Sequence, residues 1–193
     1  IFEEHGIRPT YLVTYQVAES PWAAEYLSRL HRSGRAEVGC HLHPWNTPPV
    51  DRQSSPPITL IRNLEPSMLR AKLRSLIDHI GEKLGVEATS FRAGRWGISS
   101  AALEVLADEG IRTDSSVLPH LDWHDSDGTR PFGDVPDRPY RLDPRDDLQR
   151  PSTRGGIVEV PPTVGFTRTP WKRWASVDRA ARAPLLRDLH LPG

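Results

Sequence analysis

Gly39-Cys40-His41-Leu42-His43-Pro44-Trp45 closes an apolar, strand-like run with two histidines two residues apart. Residues i and i+2 of a strand point to the same face. His41 and His43 can therefore aim two imidazoles at one point in space, as a metal site requires. Pro44 has no N–H to give to a sheet ladder and ends the strand. In a parallel α/β sheet that end of a strand is where ligands bind. Spacing alone leaves the pair open between a metal site and ordinary histidines at a strand end.

Outward from this segment, strand and helix patterns alternate. Thr10-Tyr11-Leu12-Val13-Thr14 is a β-branched, aromatic run that predicts a strand, followed by a polar turn. Ser20 and Pro21 supply an N-cap and a first-turn proline. Trp22, Tyr26, Leu27 and Leu30 follow at helical spacing, and Gly34 stops that helix. Residues 36–43 form the histidine strand, and residues 46–66 a long Pro-rich loop. Leu69, Leu73, Leu76, Ile77, Ile80 and Leu84 lie on one helical face, ended by Gly85. Further strands are expected at 88–93, 111–117 and 157–160, with a helix from Ser99 to Gly110 between the first two. Residues 118–156 read as a second polar loop around Tyr140-Arg141-Leu142, and residues 171–190 as a helix.

This alternation predicts parallel βαβ units, in a doubly wound sheet or a (β/α) barrel. The glycines of Phe91-Arg92-Ala93-Gly94-Arg95-Trp96-Gly97 have the wrong spacing for a dinucleotide fingerprint. A barrel is therefore favoured, with active residues at the C-terminal ends of its strands.

The 193 residues suit one domain with a sizeable core. Their hydrophobic share of 37% is near the low end for a globular chain once glycine is counted. The 25 basic and 25 acidic residues cancel, which argues against a nucleic-acid partner or an acidic membrane surface. The one cysteine, Cys40, excludes an intramolecular disulfide and a Cys-rich zinc module. No run approaches the roughly 18 apolar residues of a membrane span. With no signal peptide in view and a single cysteine, the reading leans toward the cytoplasm.

Three strand ends combine charged or imidazole groups with tryptophan. They are His41/His43 with Trp45, Arg92 and Arg95 with Trp96, and Asp114-Ser115-Ser116 running through His120 to Asp122-Trp123 and His124. Flat apolar rings beside polar groups suit a sugar-binding cleft. Arg92 reads as a guanidinium that holds a carboxylate, with Asp122 as its natural partner, or as a surface arginine. His120 and His124 read as site residues or solvated loop histidines. His5, His31 and His79 read as helix-surface residues.

Taken together and in this order, the three motifs resemble the polysaccharide deacetylases with NodB homology (carbohydrate esterase family 4). The likeness is greatest to their WalW-like lipopolysaccharide-biosynthesis branch, and it runs from about Ile1 to Arg187. It implies a distorted (β/α)7 barrel and a divalent metal, usually zinc, held by one Asp and two His. By resemblance, His41 and His43 take the imidazole positions and Arg92 orients the catalytic carboxylate. Asp122 and Trp123 support that arginine and line the acyl pocket. Apart from the resemblance, the mix of rings and polar groups at the strand ends makes Trp45, Trp96, Trp123 and His120 the residues expected to contact the sugar. The implied reaction is metal-assisted hydrolysis of an N-acetyl or O-acetyl group on a cell-surface glycan or its precursor.

The sequence departs from the family at three places. Its common form spaces the histidines four apart, and Trp45 stands at that position here. The first motif, an Asp-Asp or Asp-Glu pair, is expected before Ile1, and the last, Leu-x-His, after Gly193. His190, preceded by Asp188 and Leu189, does not match the last motif. The chain thus reads as a single domain truncated at both ends, without its first and last strands. A second reading is a relative without catalysis that binds carbohydrate or serves polysaccharide assembly. A third is an amidohydrolase-type barrel, which also uses His-x-His. It needs further metal-binding histidines and an Asp on later strands, where this chain offers Arg92, Asp114 and Glu159 but no strand-end histidine.

Overall fold

The computed structural model describes residues 2–50, 58–119, 132, 135–143 and 150–163. His120, Asp122, Trp123, His124, His190 and the helix expected over 171–190 lie outside these residues. By its internal contacts the chain falls into two units, Ile1–Pro162 and Thr163–Gly193. Every described strand and helix belongs to the first unit.

Strands β1 (Thr10–Val13), β2 (Glu37–Leu42), β3 (Ser90–Ala93), β4 (Thr113–Asp114), β5 (Tyr140–Leu142) and β6 (Ile157–Glu159) form one sheet in the order β1-β2-β3-β4-β6-β5. All pairs are parallel except β5 with β6. Helices α1 (Tyr15–Glu19), α2 (Pro21–Arg32), α3 (Pro66–Leu84) and α4 (Ser100–Asp108) fill the connections.

The first four strands are neighbours in chain order, so their right-handed crossovers place every helix on one face. In agreement, α3 packs against α1, α2 and α4, and both α2 and α3 meet β2. A doubly wound sheet needs a reversal of strand order that β1 to β4 do not make. The result is a singly wound, mostly parallel α/β sheet. Among the described residues it is open, with β1 and β5 at its edges.

The strand period of two sorts the side chains. Val38, Cys40 and Leu42 of β2 and Phe91 and Ala93 of β3 are buried toward the helices. Leu69, Leu73, Leu76, Ile80 and Leu84 of α3, which packs against β2, are buried as well. Each fully buried Leu, Ile or Phe contributes about 1.5–3 kcal/mol relative to exposure. Burial pushes the Cys40 thiol up to about 12, so it behaves as a small apolar core residue. Glu37, His41 and Arg92 point to the opposite, half-exposed face. Gly39 is required there, because a side-chain carbon would collide with the backbone of Ser90 on the neighbouring strand.

Several sequence expectations are corrected. The polar turn after β1 is helix α1, capped by the Thr14 hydroxyl, which accepts from the Val17 N–H at 3.4 Å. Ser20 makes no side-chain cap for α2, although Pro21 does open it. The Ser99 hydroxyl caps α4 as expected, accepting from Ala102 N–H at 3.2 Å. Tyr140-Arg141-Leu142, read as loop, is the antiparallel strand β5, with Tyr140 and Leu142 buried and Arg141 exposed. Ile77 is only half-buried. His79, read as a surface residue, is 8% exposed. It stacks on Tyr15 at 4.0 Å and pairs with Glu19 at 2.7 Å, joining α1 to α3.

Candidate functional site

β2 and β3 run side by side with His41 opposite Arg92. His41 is the penultimate residue of β2, and His43 follows one residue beyond the strand. Their Nε2 atoms are 2.9 Å apart, with ring centroids at 4.5 Å and planes at 67°. The expected convergence of two imidazoles on one point is present.

His41 Nδ1 lies 2.9 Å from the backbone carbonyl of Arg92. A carbonyl only accepts, so Nδ1 carries the proton and the neutral ring turns its Nε2 lone pair toward His43 Nε2. Histidine ligands are oriented for metals in this manner. Burial pushes both imidazoles below their ordinary pKa. For His41 the hydrogen bond to the Arg92 carbonyl opposes this in part while the Arg92 charge adds to it, and for His43 the charges of His41 and Arg95 add to it. The pair is thus held neutral, the form that ligates.

His43 is wedged between two partners. Its ring stacks on Trp45 at 4.4 Å and 22°. Its Cδ2 and Nε2 atoms lie against Gly94, where any side-chain carbon would overlap the imidazole and the Leu42 carbonyl. Gly94 opens a tight turn in which Arg95 and Trp96 both adopt positive φ, 55° and 56°. Non-glycine residues in that region store strain and concentrate at functional sites.

The turn places the Trp96 ring 5.0 Å from the Arg92 guanidinium. Arg92 also donates from Nε to the Ser115 carbonyl at 2.9 Å and from Nη2 to the Ser115 hydroxyl at 2.6 Å. The partners seen for this arginine are Ser115 and Trp96, while its expected partner Asp122 is outside the described residues. Arg92 and Ser115 line a groove of about 410 Å³ on the open face of the sheet, together with Thr10, Glu37, Ser90 and Thr113.

Asp114 and Glu159 do not join this cluster. They are paired in the register of β4 and β6 and are 0% exposed. Asp114 is opposite Phe91, on the face turned to the helices. Burial raises both acids, and the charge of Asp114 raises Glu159 further. Glu159 Oε1 accepts from Val117 N–H at 3.1 Å, and the Ser116 hydroxyl donates to Asp114 Oδ1 at 2.6 Å. Glu159 therefore keeps its proton and shares it with Asp114 as a structural acid pair. With these carboxyls on the far face, the amidohydrolase reading loses its later-strand ligands.

The donor set meets part of the requirement for a zinc ion. A tetrahedral ion about 2.0–2.1 Å from each nitrogen needs them about 3.4 Å apart, within about half an ångström of the 2.9 Å seen. The tautomer of His41 and the neutrality of both rings also fit. Among the described residues no third His, Cys, Asp or Glu completes the group.

No protein-family model and no curated protein matches the sequence. Solved structures do match. A protein from Mycobacterium smegmatis assigned as a polysaccharide deacetylase aligns with 93% of this chain and 56% of its own, at 19% identity and a TM-score of 0.54. A protein from Bordetella bronchiseptica assigned as a polysaccharide deacetylase of O-antigen biosynthesis aligns with 96% of this chain and 74% of its own, at 15% identity and a TM-score of 0.46. A family 4 carbohydrate esterase from Streptomyces lividans, solved with acetate, aligns with 63% and 55%, at 17% identity and a TM-score of 0.45. The chain thus shares the fold of the first of these and spans 56% of its length.

Proposed function

We propose that this chain belongs to a metal-dependent deacetylase that hydrolyses an N-acetyl or O-acetyl group on a polysaccharide or its sugar precursor. The observation that carries the reading is the His41/His43 pair. Two neutral imidazoles converge at the C-terminal end of a parallel strand, one of them locked by the Arg92 carbonyl. The fold shared with the mycobacterial protein supports it.

In this reading His41 and His43 hold a divalent ion, most simply zinc, with a carboxylate from outside the described residues as third ligand. When bound, such an ion polarises a carbonyl and lowers the pKa of its water. The rest falls to the chain itself. Arg92 stays charged beside the groove and orients a carboxylate there. Trp45, half-open at the site, and Trp96 offer ring faces to a sugar. Asp122 and Trp123 keep the roles implied by resemblance, in supporting Arg92 and lining the acyl pocket, and His120 keeps its expected place against the substrate. The closed (β/α)7 barrel belongs to the same proposal.

A second reading has its own observation. Among the described residues no carboxylate stands beside the histidines, since Asp114 and Glu159 face the helices. A chain of that kind binds acetylated glycan without cleaving it. Acetate release from an N-acetylated glycan by the zinc-loaded protein, abolished by chelator, supports the enzyme. Glycan binding without acetate release supports the second reading.

A further inference from the structure

Lys72 lies in the middle of the apolar face of α3, between Leu69, Leu73 and Leu76, and is 2% exposed. Its Nζ donates to three backbone carbonyls of one short loop: Pro44 at 2.9 Å, Thr47 at 2.8 Å and Pro49 at 2.5 Å. An ammonium has three N–H donors around a compact charge, and here three convergent carbonyls meet them. Pro44 and Pro49 have no N–H, so the carbonyl is their one backbone polar group.

The loop so held is the one that follows the histidine pair. Its Trp45 stacks on His43. Its Asn46 and Thr47 N–H groups return to the His43 carbonyl at 3.3 and 3.2 Å. Gln16 of α1 donates to the Asn46 carbonyl at 2.5 Å. Gln16 is a single tie from the edge of the molecule, whereas Lys72 makes three from the core.

We infer that Lys72 is a positioning residue. By gathering the carbonyls of residues 44, 47 and 49 it seats Trp45 against His43 and so fixes the direction of the His43 imidazole. Its effect on ring geometry stands on these contacts alone, while its effect on metal binding rests on the function proposed above.

The test is histidine NMR on the metal-free protein, comparing wild type with Lys72→Met, which keeps the stem and removes the charge. The His43 ring protons, assigned from a His43→Ala spectrum, are shifted upfield in wild type by the stacked Trp45 indole. In Lys72→Met that displacement is lost, while His79, stacked on Tyr15 at a separate place on α3, is unmoved. Zinc affinity falls about 10–100-fold, the usual effect of losing an outer-shell support. An unchanged His43 signal in Lys72→Met overturns the proposal. Should His79 move as well, the variant has lost its fold and Lys72→Gln, which retains a donor, decides by the same signals. Loss of the His43 displacement in a protein that takes up no zinc even as wild type would keep the positioning role and remove the metal site.

Discussion

The imidazole of His43 lies directly against the α-carbon of Gly94, in space that no side chain could share. Two neighbouring strand ends approach so closely here that one has no side chain and the other ends in an imidazole. Gly94→Ala should therefore displace His43 or the 94–96 turn. The expected cost is about 1–3 kcal/mol, the range for overpacking a tight site, together with weaker zinc binding. Urea denaturation and zinc titration check the two effects, and a variant as stable and as tightly binding as wild type would refute the packing account.

Arg92 acts through geometry as well as charge. It makes two hydrogen bonds to Ser115 and lies over Trp96. A lysine lacks the planar fork that spans the Ser115 carbonyl and hydroxyl and lies flat over the ring, so Arg92→Lys is expected to lose about 1–2 kcal/mol of stability. Trp96→Ala should lose about 0.5–1 kcal/mol from the cation–ring contact, besides the area it buries. In the double variant the two losses should not add, because the residues touch. Strict additivity across the cycle would show that the stack contributes nothing.

The buried pair Asp114 and Glu159 gives a pH dependence with a definite sign. Burial and the neighbouring charge raise the folded pKa of Glu159 well above its ordinary value. The folded state thus holds a proton that the unfolded chain releases from about pH 4 upward. Stability from this source is fully present in acid and declines as pH rises toward the folded pKa. Glu159→Gln mimics the protonated acid and removes that decline. The Tm of the variant minus that of wild type should therefore increase from pH 4 to pH 8. A difference that stays constant with pH would mean that Glu159 is ionised in the folded state.

The legibility of this molecule in its sequence varies with the range of the forces involved. The pairing of His41 and His43 follows from the two-residue period of a strand, and their sharing of one face is a local matter. Helix α3 is readable because its apolar stripe is long and its ends carry Pro66 and Gly85. Helix α1 has five residues and a weak cap, too little for periodicity to register. β5 has three, and exists because β6 offers it an antiparallel edge.

The roles of Lys72 and His79 depend on tertiary contacts. Each sits on the inward side of α3, and each is polar, so sequence patterning places it outside. Lys72 is buried because three loop carbonyls meet it there, and His79 because Tyr15 and Glu19 do. Asp114 and Glu159 are recognisable as strand residues. Which face of the sheet they occupy is decided by the register with Phe91.

The most direct test of the account is zinc binding by this chain, measured by calorimetric titration beside His41→Ala and the His41→Ala/His43→Ala double variant. The account predicts one zinc per wild-type protein, with affinity falling in the single variant and uptake abolished in the double. Equal uptake in all three proteins, or none in any, would contradict the claim that the two imidazoles at the end of β2 form a metal site.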